Sequence, residues 1–242
     1  MNATTAIVLA AGVGSRLRPL TDRVPKCLVP IGRETILARM VRLLAENGVR
    51  ELVVATGYLE ALVRDALRDA PLPVTFAHCP DHATTQNVVS LHRALASVAP
   101  GRHVVKLDGD VAFDGAIVAR LMASVDDAAA AVDDTAVAPA EAMKVTVAGG
   151  RVTRFGKGLD PYAAAGESIG VERFAAGAVP RLVAAVARAV GAGRTDVYYE
   201  DVYNDLIDEG LVMGRVSTAP LRWCEIDDAD DLAHARAAFP DA

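Results

Sequence analysis

The sequence predicts an α/β fold with a mostly parallel sheet covered by helices on both faces, and three observations carry that reading. Apolar runs alternate with helical patterns through the first half of the chain. The runs are nearly continuous, as strands buried on both faces are. Two of them end in glycine and aspartate, where an open α/β sheet places its ligand.

The first strand, Ala6 to Leu9, runs into Ala10-Ala11-Gly12-Val13-Gly14-Ser15-Arg16, and the loop continues to Pro25-Lys26. Free backbone N–H groups with arginine and lysine behind them suit a polyphosphate. No Gly-Lys-Ser/Thr closes the loop, so it is not a Walker A loop. A dinucleotide fingerprint would need glycine at Leu17 and an acid after the next strand, where Ala55-Thr56-Gly57 stands. The remaining pattern, Gly-x-Gly-x-Arg-x-x-Pro-x-Thr-x-x-x-Pro-Lys, resembles the signature of nucleotidyltransferases that activate small phosphorylated compounds.

Ile36, Leu37, Met40, Val41, Leu43 and Leu44 then recur at helical spacing before the stop at Asn47-Gly48. Leu52 to Ala55 is a second strand, Leu59 to Leu67 a short helix, and Val74 to Ala77 a third strand. Gln86 to Val98 is helical, and Val104 to Leu107 leads into Asp108-Gly109-Asp110. In the second half, Met143 to Val147 and Arg151 to Phe155 flank Gly149-Gly150 as a hairpin, an antiparallel excursion. Ser168 to Val171 is a further strand, and Pro180 starts a helix over Val179 to Val190. Glu200 to Asp208 is helical, Leu211 to Val216 and Trp223 to Ile226 are strands, and Asp230 to Phe239 is a last helix. No linker or repeat divides the 242 residues, which read as a single domain over 1–242.

A net charge of −6 argues against a nucleic-acid partner, so the basic cluster Arg16, Arg18, Arg23 and Lys26 reads as a site. Cys27, Cys79 and Cys224 have no metal-ligand spacing and predict reduced thiols in a cytoplasmic protein. No apolar run is long enough to span a bilayer and no signal peptide is expected. The five histidines read as surface or satisfied groups, dispensable to the chemistry.

Asp108 and Asp110 put two carboxylates within reach of one hard cation, although Asp-x-Asp is also ordinary turn chemistry. Asp227, at the end of Glu225-Ile226-Asp227, is the candidate to complete that site; the alternative is that Asp227 or Asp228 caps the last helix.

The first loop, Leu107-Asp108-Gly109-Asp110, Glu141-Ala142-Met143-Lys144-Val145, Gly166-Glu167-Ser168-Ile169-Gly170, Tyr199-Glu200-Asp201 and Trp223-Cys224-Glu225-Ile226-Asp227 occur in that order. Together they resemble the CTP-dependent nucleotidyltransferases acting on phosphocholine, aminoethylphosphonate and related headgroups, relatives of the sugar-phosphate nucleotidyltransferases. The resemblance spans nearly the whole chain. It implies a Rossmann-like three-layer α/β/α sandwich of the glycosyltransferase-A type.

Carried over by position, Lys26 is the catalytic lysine on the α-phosphate and Arg16 a triphosphate ligand. Asp110 and Asp227 become the Mg2+ ligands. Leu9, Ala10, Ala11, Gly12, Gly14, Ser15, Asn87, Ser90 and Asp108 line the nucleotide. Lys144, Glu167, Tyr199 and Glu200 become acceptor contacts, and tyrosines beside carboxylates suit a cationic amine; they equally suit core packing at a helix start. The implied partners are CTP and a small phosphate- or phosphonate-bearing acceptor, with no membrane and a monomer or homodimer. The acceptor's oxyanion is already ionised at neutral pH, so no general base is needed; the task is neutralising charge at the α-phosphate. A nucleotide-sugar glycosyltransferase shares the Asp-x-Asp feature but does not call for this first loop, and a non-catalytic nucleotide-binding module would not call for Lys26, Asp110 and Asp227 together.

Overall fold

The computed structural model of the chain describes residues 3–240. In chain order its main elements begin with β1 (Thr4–Ala10), α1 (Ile36–Glu46), β2 (Glu51–Thr56), α2 (Glu60–Ala66), β3 (Val74–His78), α3 (Asn87–Leu95) and β4 (His103–Asp108). Next come β5 (Val111–Phe113), α4 (Ala116–Met122), β6 (Ala128–Asp133), β7 (Lys144–Ala148), β8 (Arg151–Gly156) and β9 (Gly166–Phe174). The chain closes with α5 (Val179–Gly191), α6 (Tyr199–Asp208), β10 (Met213–Ser217), β11 (Trp223–Glu225) and α7 (Ala229–Ala238).

Nine strands form one mixed sheet in the order β3-β2-β1-β4-β9-β6-β10-β8-β7. β1 pairs in parallel with β2 on one side and β4 on the other. β9 enters antiparallel between β4 and β6, and β7 and β8 form the expected hairpin at the far edge. The alternation of side chains along β1 builds a core on each face. Ile7 joins Val88 and Leu91 of α3 and Leu182 of α5 on one side, whereas Ala6 and Val8 join Leu37 of α1, Val63 of α2 and Ile117 of α4 on the other. The result is the three-layer α/β/α sandwich, with strand order reversing between β1 and β4 and a crevice at their carboxyl ends.

A second sheet of two strands pairs β11 antiparallel with β5, setting Glu225 opposite Val111. The stretch from Val111 to Asp133, for which the sequence yields no elements, thus holds β5, α4 and β6. β6 consists of Ala128-Ala129-Ala130-Ala131-Val132-Asp133, whose alanines are all buried between β9 and β10.

Candidate active site

The loop after β1 is wound into three short 3-10 turns, Ser15–Leu17, Leu20–Asp22 and Lys26–Leu28. Gly14 is left-handed (φ 65°), and a Cβ there would lie 3.0 Å from the Lys26 Cβ. Glycine therefore lets the loop close on the lysine. Thr21 Oγ1 donates to the Gly14 carbonyl (2.8 Å), and Tyr58 braces both ends, donating its N–H to the Ala11 carbonyl and its OH to that of Thr21.

Beside this loop, the turn after β4 is clamped to β1. Gly109 N–H donates to the Leu9 carbonyl (2.9 Å), and a Cβ at Gly109 would sit 2.6 Å from that oxygen. Asp110 then meets the β11 end, because its carbonyl accepts from Ile226 N–H at 3.0 Å. Asp110, Glu225 and Asp227 each present a carboxylate oxygen, and all three lie within 4.8 Å of one another. The two readings of the acidic pair at 227–228 separate here: Asp228 caps α7 by accepting from Asp230 and Asp231 N–H, which leaves the Asp227 carboxylate to the cleft.

Two cations face this cluster. Lys26 Nζ is 2.6 Å from Asp110 Oδ2 and 2.6 Å from Asp227 Oδ1, and Arg16 Nη2 is 2.7 Å from Asp227 Oδ2. Burial opposes the Lys26 charge, but Asp110 and Asp227 outweigh it and raise its pKa. Burial likewise works against the Asp227 carboxylate, yet Lys26 and Arg16 hold it below its ordinary value. At Glu225 the opposing charge of Lys26 does not prevail: burial, then repulsion by Asp110 and Asp227, pushes it up to about 8. Asp110 Oδ1 is buried with no hydrogen-bond partner among the described residues. An all-oxygen set with an unpaired buried oxygen and a protonation-prone third carboxylate fits a hard divalent cation. Lys26 is thus not solvent-facing, as a loop lysine is expected to be; its side chain is only 13% exposed.

These groups open onto a cleft of about 440 Å3. Of the sequence-predicted residues, Leu9, Ala10, Ala11, Gly12, Gly14, Ser15, Arg16, Lys26, Asn87, Ser90, Asp108, Asp110 and Asp227 all line it. The predicted acceptor contacts do not. Tyr199 and Glu200 are buried beneath the floor, because α6 turns that face into the core. Lys144 is buried too, its ammonium donating to the carbonyls of Pro139, Ala140 and Ala142. Glu167, opposite Asp133 across β6 and β9, also lies outside the cleft, and burial followed by Asp133 raises it to about 6.

Asp108 differs from its expected partnership with Asp110. Its carboxylate turns away from the Asp110 cluster to accept from Tyr199 OH (2.5 Å) and Lys106 Nζ (3.2 Å). Sequence reasoning assigns no site role to Glu225, Tyr198, Lys157, Gln86 or His82, having preferred Asp227 to Glu225 and Tyr199 to Tyr198, yet all five line the cleft. Lys157 sits over the Tyr198 ring, 4.9 Å from its centroid. The Glu-x-Asp spacing at a strand end was the available signal for Glu225. Cys27 also reaches the cleft, with its thiol pushed up to about 12 by burial, so it is no nucleophile at neutral pH.

A strand-to-phosphate-loop start, a clamped Asp-Gly-Asp turn and a distant carboxylate pair converge on one crevice, and the comparison with known families agrees. Residues 6–154 match the family model described as a MobA-like NTP transferase domain. The chain belongs to that family. Among relatives of this NTP transferase domain, the "CMP-5'-(3-aminopropyl)phosphonate synthase" of Streptomyces rubellomurinus is 32% identical over 97% of this chain and 38% of its own length. The "Bifunctional IPC transferase and DIPP synthase" of Rubrobacter xylanophilus is 31% identical over 94% of this chain and 50% of its own. The chain therefore spans half or less of the length of these relatives. In fold it resembles the inositol-1-phosphate CTP transferase from T. maritima, with a TM-score of 0.80 at 22% identity, over 100% of this chain and 98% of that one. Among the described residues of this NTP transferase domain, no helix is long and apolar enough to cross a membrane.

Proposed function

We propose that this chain transfers a cytidylyl group from CTP to a small acceptor bearing a phosphate or phosphonate, with release of pyrophosphate. One observation carries the reading: Arg16 and Lys26 of a glycine loop face Asp110, Glu225 and Asp227 across one crevice. Cations for a triphosphate and oxygens for a divalent metal therefore meet where the α-phosphate would lie. The cytidine assignment draws on the likeness to the Streptomyces CMP-phosphonate synthase, and the T. maritima CTP transferase shares the fold.

In the proposed reaction an acceptor oxyanion forms a bond to the α-phosphorus as the bond to the β-phosphate oxygen breaks, and pyrophosphate leaves with the electron pair. No proton need move. The glycine loop orients the triphosphate, while Lys26 and Arg16, released from Asp110 and Asp227, place positive charge against the phosphates. Asp110, Asp227 and Glu225 would hold Mg2+, which supplies charge neutralisation between the two anions.

For the acceptor, Tyr199 and Glu200 do not reach the cleft, and Tyr198 is the tyrosine that lines it. An aromatic face suits an amine-bearing head such as an aminoalkylphosphonate, phosphoethanolamine or phosphocholine. A second reading has its own support: the Lys157 ammonium already covers the Tyr198 ring, which favours an uncharged head such as a polyol phosphate.

The test is pyrophosphate release with each of the four nucleoside triphosphates, with Mg2+ or with chelator. The acceptors would be aminoethylphosphonate, aminopropylphosphonate, phosphocholine, phosphoethanolamine, inositol phosphate and glucose 1-phosphate. Turnover with CTP, Mg2+ and an amine-bearing acceptor is expected. Preference for UTP or a purine nucleotide would remove the cytidylyl assignment, and preference for the uncharged acceptors would select the second reading.

A further inference from the structure

Beneath the cleft floor lies a group of buried polar residues that the proposed reaction does not use. Lys106 on β4 is fully buried, with Nζ 2.9 Å from Glu172 Oε2, 3.2 Å from the Gly170 carbonyl and 3.5 Å from the Tyr199 ring centroid. Such a charge is tolerable only when fully partnered. Its remaining bond goes to Asp108 Oδ1 at 3.2 Å, while Tyr199 OH takes Asp108 Oδ2 at 2.5 Å. Both oxygens of one carboxylate are thus fixed from below.

Two further features agree. Gly170 is left-handed (φ 72°), and a Cβ there would lie 2.4 Å from Asp108 Oδ2. The seat for the carboxylate therefore exists because β9 carries no side chain at that point. Tyr199 also reaches the opposite wall, since its backbone N–H donates to Asn87 Oδ1 at 3.0 Å. Asn87 and Asp108 both line the cleft, so a single residue with no exposure of its own ties two of its walls together.

We infer that Tyr199 is a positioning residue: through its phenol it fixes the Asp108 carboxylate, and through its N–H the Asn87 amide, in the arrangement the cleft presents to the nucleotide. The role rests on the nucleotidyltransferase reading above. It differs from acceptor contact, which the burial of Tyr199 forbids, and from plain packing, which needs no hydroxyl. The neighbouring Tyr203 supplies the contrast. It is equally buried, its ring lies 5.1 Å from that of Tyr199, and its OH has no hydrogen-bond partner among the described residues.

The test measures CTP binding by calorimetry and turnover by pyrophosphate release for the wild type, Tyr199→Phe, Tyr203→Phe, Asp108→Asn and the Tyr199→Phe/Asp108→Asn pair. Loss of a hydrogen bond to a charged group should lower kcat/KM about tenfold in Tyr199→Phe, while Tyr203→Phe stays within about twofold of wild type. In the Asp108→Asn background the Tyr199→Phe change should add less than about twofold, because the two act as a unit. Gly170→Ala reaches the same carboxylate sterically, without touching the phenol, and should also lose activity. Equal kcat/KM in wild type and Tyr199→Phe, or losses that multiply in the pair, would overturn the inference while leaving the nucleotidyltransferase reading intact. A wild type that neither binds nor turns over any nucleoside triphosphate would instead overturn both.

Discussion

Lys26 Nζ lies 2.6 Å from Asp110 Oδ2, so a cation assigned to the triphosphate rests on a carboxylate assigned to the metal. The same ammonium reaches Asp227 Oδ1 at 2.6 Å. In the proposed reaction a divalent ion would draw on the same carboxylates as Lys26 and so would free the lysine toward the α-phosphate.

Lys26→Ala is expected to lower turnover by about a hundredfold or more, the cost of losing one charge contact to the transition state. It should also tighten Mn2+ binding to the nucleotide-free protein, by about tenfold, because two carboxylates lose their competing cation. Mn2+ titration followed by electron paramagnetic resonance checks this, and weaker binding in the variant would show that lysine and ion do not compete.

Asp110→Asn, Asp227→Asn and Glu225→Gln should each raise the Mg2+ concentration needed for half-maximal turnover. The largest effects are expected at Asp110 and Asp227. Glu225 is raised to about 8, so most of its population is already neutral at pH 7 in the ion-free protein. Mg2+ dependence measured on the purified variants decides the order; an unchanged requirement in any one removes that residue from the ligand set.

Glu200 yields a pH prediction for stability. Burial first, and then Asp108 and Glu172, raise it from its ordinary 4.5 to about 8, although Lys106 works the other way. Between those values the folded state holds a proton that the unfolded state has released, so this residue's contribution to stability falls as pH rises. Glu200→Gln should therefore be more stable relative to wild type at pH 8.5 than at pH 5. Urea midpoints at the two values test it, and a gap that does not widen with pH would contradict the assignment.

Gly109→Ala places a methyl group 2.6 Å from the Leu9 carbonyl, a backbone atom that cannot swing aside. The variant should lose about 1–3 kcal/mol of stability and most of its turnover, since the same turn aims Asp110. Chemical denaturation and pyrophosphate release check the two effects together.

The glycine loop, Asp110 and Asp227 were legible because loop chemistry at strand ends is local and β1 and β4 announce themselves as apolar runs. The stretch from Val111 to Asp133 was not: Ala128 to Ala131 carry no period that distinguishes a strand, and β5 is only three residues long. At the acceptor side the failure was one of helical phase. Adjacent tyrosines look alike in sequence, but Tyr198 is the N-cap of α6 and lines the cleft, whereas Tyr199 and Tyr203, four residues apart, share the buried face. Lys144 was misread because nothing local reveals that three carbonyls will surround its ammonium.

The pairing of β11 with β5 has a consequence for the order in which the protein is made. A nascent chain released from the ribosome as far as Ser217 already contains every strand of the large sheet, yet lacks Glu225 and Asp227. Until that late strand arrives, Lys26 has Asp110 but not Asp227 to neutralise it, and the carboxylate cluster has one member of its three. Synthesis thus supplies every strand of the large sheet before it supplies two of the three clustered carboxylates.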